Sequence, residues 1–316
     1  MFPPIPLGAT VGGMPGWRWS RSVPAGLVLL GLLACTVRQR SPRTAPPGDE
    51  SEERKARSEE AGQLPRIPSD SEMPPGVLGA SIRRGRALLR NTRDSLPHNV
   101  GSDLRCFSCH LREGTQAGAL PLIGVYSRFP QYRARNGLVN LIEDRINDCF
   151  ERSLNGTALP RDGSDMRDIV AYLSFISRGV PPPGEFPGTG LRNLDPRQAD
   201  SVRGREVYAV VCVRCHGPSG RGTPLAPPLW GPRSFNIGAG LARLRSAAAF
   251  IRDNMPSDRA VTLSDQQAFD VAAFLVTRPR PDFARKAFDW PNGDTPPDVG
   301  YVTRAVRQAR VVKPKP

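Results

Sequence analysis

Histidine is nearly missing from this 316-residue chain, which holds only His98, His110 and His216. Lysine is almost as scarce, with none between Lys55 and Lys286, and aromatics make up 7% of the residues. The apolar run from Val23 to Ala34 is shorter than the roughly 20 residues a mature membrane-spanning helix needs. Too few imidazoles remain to build structural zinc sites, since two of the three belong to motifs with another purpose. The net charge of +14 comes almost wholly from arginine, the residue suited to gripping planar oxyanions through paired hydrogen bonds. Those arginines are dispersed and no recognition motif accompanies them, so nucleic acid is not the expected partner. With 34 Pro, 31 Gly and 39% hydrophobic residues, the composition fits two small soluble domains joined by linkers.

Six cysteines stand at Cys35, Cys106, Cys109, Cys149, Cys212 and Cys215, and each has its own explanation. Arg18 and Arg21 precede the apolar run, which ends in Leu32-Leu33-Ala34-Cys35. That order resembles a bacterial lipobox, which implies a signal peptide over residues 1–34, cleavage before Cys35 and a lipid anchor on its sulfur. The expected location is periplasmic, as a membrane-anchored lipoprotein; an ordinary signal peptide is the alternative, and Met14 an alternative start. Residues 35–75 mix Pro, Ser, Glu and Arg with few apolar side chains and read as a disordered tether.

Cys106-Phe107-Ser108-Cys109-His110 and Cys212-Val213-Arg214-Cys215-His216 are both C-x-x-C-H, repeated 106 residues apart. Two cysteines at this spacing can add to the vinyl groups of one haem while the adjacent histidine reaches its iron. Two covalently bound haem c groups follow, held by Cys106, Cys109 and His110 and by Cys212, Cys215 and His216. Helical patterns precede each motif, Ile82 to Thr92 and Ser201 to Val211. Others follow, behind Ser164 and Ser264 as N-caps. First and last helices flanking a haem motif resemble the cytochrome c fold. The expected class is all-α, two tandem cytochrome c domains over residues 76–180 and 199–285, with a Pro-rich linker at 181–198 and a tail at 286–316 whose role the sequence leaves open.

The sixth ligands separate a carrier from an enzyme. In the second domain Met255 is the one thioether and precedes the last helix, so it is the expected distal ligand of the second haem. In the first domain Met166 falls inside the final helix and is expected to pack in the core, and His98 is expected to be solvated. Cys149 stands where a methionine would, with no haem, lipid or disulfide partner to hold. It is either a buried free thiol or a thiolate ligand opposite His110, and the second reading explains both the spare sulfur and the missing methionine.

At these residues the chain resembles the dihaem thiosulfate dehydrogenases, the tetrathionate-forming or tetrathionate-reducing cytochromes, over roughly Gly79 to Pro279. The resemblance rests on Arg145-Ile146-Asn147-Asp148-Cys149-Phe150-Glu151-Arg152-Ser153-Leu154-Asn155-Gly156, and on Pro228-Leu229-Trp230-Gly231 through Gly240. It implies that Cys149 ligates the active-site haem and that Arg145, Ser153, Arg135 and Gln116 bind substrate. It implies oxidation of two thiosulfates to tetrathionate, with electrons passing through a His/Met haem to a periplasmic cytochrome c or another redox protein. A lysine that serves some members as an alternative ligand on the second haem has no counterpart here. The competing readings are a membrane-tethered dihaem electron carrier without catalysis, and a cytochrome that conjugates thiosulfate to a carrier protein.

Overall fold

Two glycines determine how closely the helices of each haem domain meet. The computed structural model describes Pro65 to Val312, with side chains to Ala309, so the expected signal peptide, Cys35 and most of the tether lie outside the described residues. In the first domain, α1 (Gly76–Arg90) carries Gly85 against α3 (Ser164–Ile176), where a Cβ would fall 1.9 Å from the Asp168 carbonyl oxygen. In the second, α4 (Ser201–Val207) carries Gly204 against α6 (Asp265–Val276), and a Cβ there would fall 1.9 Å from the Asp270 carbonyl oxygen. Only glycine permits either approach. The same device at the same place in both halves is the structural trace of the repeat.

Between these pairs lie α2 (Ile142–Arg152), which follows a short hairpin of β1 (Gln131–Arg133) and β2 (Leu138–Asn140), and α5 (Leu244–Asn254), which runs up to Met255. The strands pair antiparallel with Tyr132 opposite Val139, closed by the Asn136-Gly137 turn, Gly137 at φ +69°. One apolar core gathers Ile82, Leu89, Phe150, Met166, Ile169 and Leu173. The other gathers the alanines of α5 with Phe269, Val271 and Ala272. Phe235 and Ala239 from the second half complete the first core, and Leu194 from the linker completes the second. Each fully buried large side chain contributes about 1.5–3 kcal/mol relative to exposure.

The two cytochrome c domains are mostly helical, as the pattern implied, with differences at the boundaries. The first helix begins at Gly76 and ends at Arg90, and Thr92 opens a separate turn. Helix α4 continues through a π-helical turn, Tyr208–Cys212, into the second haem motif. Ser264 caps α6 as expected, its hydroxyl accepting from Gln267 N at 3.2 Å while Gln267 Oε1 accepts from Ser264 N at 2.9 Å. Ser164 does not cap α3: Gly163 takes that place with extended backbone, and Ser164 is the first helical residue.

The end of the expected tether is also corrected. Pro65 to Pro75 is structured: Ser69 and Glu72 cap a short turn over Asp70–Glu72, and Asp70 pairs with Arg86 of α1 at 2.6 Å. Asp70 finds a cation on the first domain while Glu72 pairs with Arg66 inside the segment, which a reading of local hydrophobicity does not see. The tail folds back as well. Trp290 is 4% exposed and Thr303 fully buried, and α7 (Arg304–Val312) follows. Trp290 N donates to the Arg135 carbonyl at 2.7 Å, so the tail is seated on the hairpin tip of the first domain. Among the described residues no helix is long and apolar enough to cross a membrane.

Candidate active site

The spacing of Arg145, Cys149 and Ser153 is four residues at each step, the interval that places side chains along one helical face. In the sequence this stretch reads as a loop before the final helix; in the structure Arg145 and Cys149 lie on α2 and Ser153 is its C-cap. All three line one wall of an apolar cavity of about 1080 Å³, mouth included, with Cys106, Cys109 and His110 also in its lining. A second cavity of about 1450 Å³ holds Cys212, Cys215, His216 and Met255 among Leu263, Val271 and Leu275. Leu104, Arg105, Cys109, Phe235 and Leu241 line both, so the two cavities share a wall.

The donor sets suit haem c. His110 Nδ1 is held by the Leu120 carbonyl and His216 Nδ1 by the Pro227 carbonyl at 2.9 Å. With Nδ1 engaged, each ring is left with Nε2 to turn toward its cavity. Burial pushes the Cys106 and Cys109 thiols up to about 12 and Cys212 up to about 11, an environment suited to uncharged sulfur. Cys149 is the exception. Burial pushes it up too, but the charge of Arg145, with hydrogen bonding and charge from His110, outweighs burial and brings it down to about 7. Arg145 Nη1 donates to Cys149 Sγ at 2.9 Å.

Ser153 and Arg145 also line a second, polar pocket of about 900 Å³, mouth included, on the outer side of α2, together with Arg133, Arg135, Arg152 and Arg243. Arg135, expected to face substrate, reaches this pocket but is engaged. Its Nε donates to Asp289 Oδ2 at 3.2 Å, its Nη2 to Tyr301 Oη at 3.1 Å, and its guanidinium lies 4.6 Å from the Trp290 ring centre. Gln116 is not brought to either wall of this site. Its Nε2 donates to Asn254 Oδ1 at 2.8 Å, beside Met255, because the loop after the first haem motif runs to the domain boundary. Met166 is 1% exposed in the first core and His98 is exposed.

Arg133, Asn254, Asp289 and Tyr301 were not found from the sequence. Arg133 ends β1, two residues before Arg135 in the hairpin turn, and no motif marks it; the others come from distant segments.

Residues 99–181 match the family model described as SoxA/TsdA, cytochrome c domain, and residues 199–275 match that of cytochrome c oxidase, cbb3-type, subunit III. Thiosulfate dehydrogenase from Allochromatium vinosum is 46% identical over 239 residues, covering 72% of this chain and 87% of the relative. The chain belongs to the thiosulfate dehydrogenase family. Its relative from Psychrobacter arcticus is 42% identical over 241 residues, covering 74% of each chain. The solved thiosulfate dehydrogenase TsdBA of Marichromatium purpuratum superposes with TM-score 0.68 at 36% identity over 70% of this chain; the match spans about half (51%) of that longer chain. Two cytochrome c domains on one chain of this family carry two covalently bound haem c groups, which the two cavities and their Cys-Cys-His sets accommodate.

Proposed function

We propose that this chain is a dihaem thiosulfate dehydrogenase. Two thiosulfate dianions lose one electron each and join through their outer sulfurs as one tetrathionate dianion, and the two electrons leave to an external redox protein. The observation that supports it is the pairing of a charge-stabilised thiol, Cys149, with an arginine 2.9 Å away in the wall of a haem cavity. In this reading His110 and Cys149 hold the first iron, and His216 and Met255 the second. When bound, the two haems supply one-electron acceptors in series. The shared wall, with Leu104, Phe235 and Leu241, would leave little space between the two groups.

The protein's own task is electrostatic. Two dianions about 6 Å apart repel by on the order of 10 kcal/mol at an effective dielectric near 20. Arg145 offsets that and aims the outer sulfur toward Cys149, while Ser153 supplies a further hydrogen bond. Arg135 acts from one step back, fixed by Asp289 and Tyr301. Export and a lipid anchor through Cys35 complete the proposal and place the enzyme where a periplasmic cytochrome c can take its electrons.

Steady-state assay of purified holoprotein with thiosulfate and ferricyanide tests this directly. Turnover by the wild type, lost in Cys149→Met with the Cys-attached haem retained, is the expected result. Full thiosulfate oxidation by Cys149→Met overturns the catalytic assignment, and no turnover by the wild type leaves an electron carrier.

A further inference from the structure

Five guanidinium groups line the polar pocket outside α2, and three of them are paired with carboxylates of the tail. Arg152 holds Asp289 through two hydrogen bonds of 2.8 and 2.9 Å, and Arg135 shares the same carboxylate at 3.2 Å. Arg243 holds Asp298 at 2.7 Å. Arg145 donates to Cys149. Arg133 is different: its guanidinium donates to Gln131 Oε1 at 3.4 Å, and among the described residues no carboxylate lies within ion-pair distance of it. The pocket's remaining acid, Asp148, lies 3.5 Å from Arg152. Asp289, Asp298 and Asp148 offset three of the five arginines and Cys149, when ionised, offsets Arg145, so the guanidinium left without an anionic partner in ion-pair contact is Arg133.

Arg133 is half-buried; burial and the charge of Arg145 lower its proton affinity, opposed in part by the charges of Asp148 and Cys149, and the two guanidiniums share a partly dehydrated space. Such a pair is costly unless an anion sits between or beside it. The pocket, about 900 Å³ with its mouth included, has room for more than one small tetrahedral oxyanion, and it meets the haem cavity at Arg145, Ser153 and Gly240.

We propose that Arg133 is the binding residue for a second sulfur oxyanion, held in the polar pocket while the first is held at Arg145 beside Cys149. This rests on the reading of the chain as a thiosulfate dehydrogenase, and it supplies what that reaction needs, two dianions retained together with their outer sulfurs facing. Tetrathionate carries a sulfonate at each end, so the same two guanidiniums would hold the product by both termini. Asp289 and Asp298 of the tail, with Asp148 of α2, take part by neutralising Arg135, Arg152 and Arg243, which leaves Arg133 beside Arg145 as the guanidinium open to an added anion.

The test uses the holoenzyme with both haems attached. In fully reduced protein, which can accept no electrons, calorimetric titration with thiosulfate is expected to give two bound anions per chain for the wild type and one for Arg133→Gln. Arg133→Lys, which keeps the charge but not the fork, is expected to restore the second with weaker affinity. In turnover, Arg133→Gln is expected to lower kcat/KM for thiosulfate and weaken inhibition by tetrathionate, each by about 10-fold or more, with the haem spectrum and melting temperature unchanged. Unchanged stoichiometry and tetrathionate inhibition in Arg133→Gln overturn the proposal while leaving the dehydrogenase reading intact. A wild type that binds two thiosulfates but does not oxidise them sinks that reading and preserves the site.

Discussion

Arg145 donates a 2.9 Å hydrogen bond to the sulfur of Cys149, one turn further along the same helix. The contact is local in sequence and local in space, and the helix alone brings it about. The same guanidinium is proposed to hold the bound sulfonate, and a charged hydrogen bond of that kind is worth about 1.5–3 kcal/mol, roughly 10- to 100-fold at 1.4 kcal/mol per decade. Arg145→Ala is therefore expected to raise the KM for thiosulfate by about that factor while the attached haems keep their absorption spectrum. An unchanged KM would remove Arg145 from substrate binding.

Gln116 bonds Asn254, the residue immediately before Met255, and Asn254 Nδ2 returns a bond to the Gly118 carbonyl at 3.0 Å. This reciprocal contact ties the first domain to the expected distal ligand of the second haem. Gln116→Leu is expected to perturb the absorption band of the methionine-ligated ferric haem, or its reduction potential. The same change is expected to leave the thiosulfate KM within about twofold. A large rise in KM with an unaltered second haem would return Gln116 to the substrate.

Asp289 accepts from Arg152, Arg135 and Tyr301 at once and is 3% exposed, while Arg152 is 7% exposed and packs 4.2 Å from the Phe283 ring centre. Breaking a buried pair by removing one partner costs about 3–5 kcal/mol, since the other charge is left uncompensated. Asp289→Ala is expected to lower the melting temperature of the holoprotein by several degrees and to make the tail sensitive to limited proteolysis. A tail as resistant as that of the wild type would show that the carboxylate does not hold it.

Gly85 and Gly204 are the points of closest helix approach, each with a carbonyl oxygen 1.9 Å from where a Cβ would stand. Backbone cannot yield as a side-chain tip can, so Gly85→Ala and Gly204→Ala are each expected to destabilise their domain by about 3 kcal/mol or more. Gly300→Ala is the control, because nothing lies within 4 Å of its Cβ position. Chemical denaturation of the three variants compares them; equal stability of all three would disprove the packing argument.

The haem motifs and the flanking helices were legible from sequence because each is local, and Arg145, Cys149 and Ser153 were named through the family resemblance; that the three share a helical face was not read, because the stretch reads as a loop before the final helix. Met255 was reached by exclusion, the only thioether in its half of the chain, and it does line the second cavity with His216. Three features escaped. The ordered Pro65 to Pro75 segment is held by Arg86, the tail by Arg152 across 137 residues, and Gln116 by Asn254 across 138. Each depends on one partner among many similar arginines, carboxylates or amides, and composition does not say which.

By itself the amino-acid order determined two haem-binding cytochrome domains and a cysteine set among cations, since covalent attachment and helical spacing are written in short stretches. Tertiary structure alone decided which arginines are neutralised and which remain free to meet an anion. Net charge in a pocket is a sum over segments that meet only when the chain has folded.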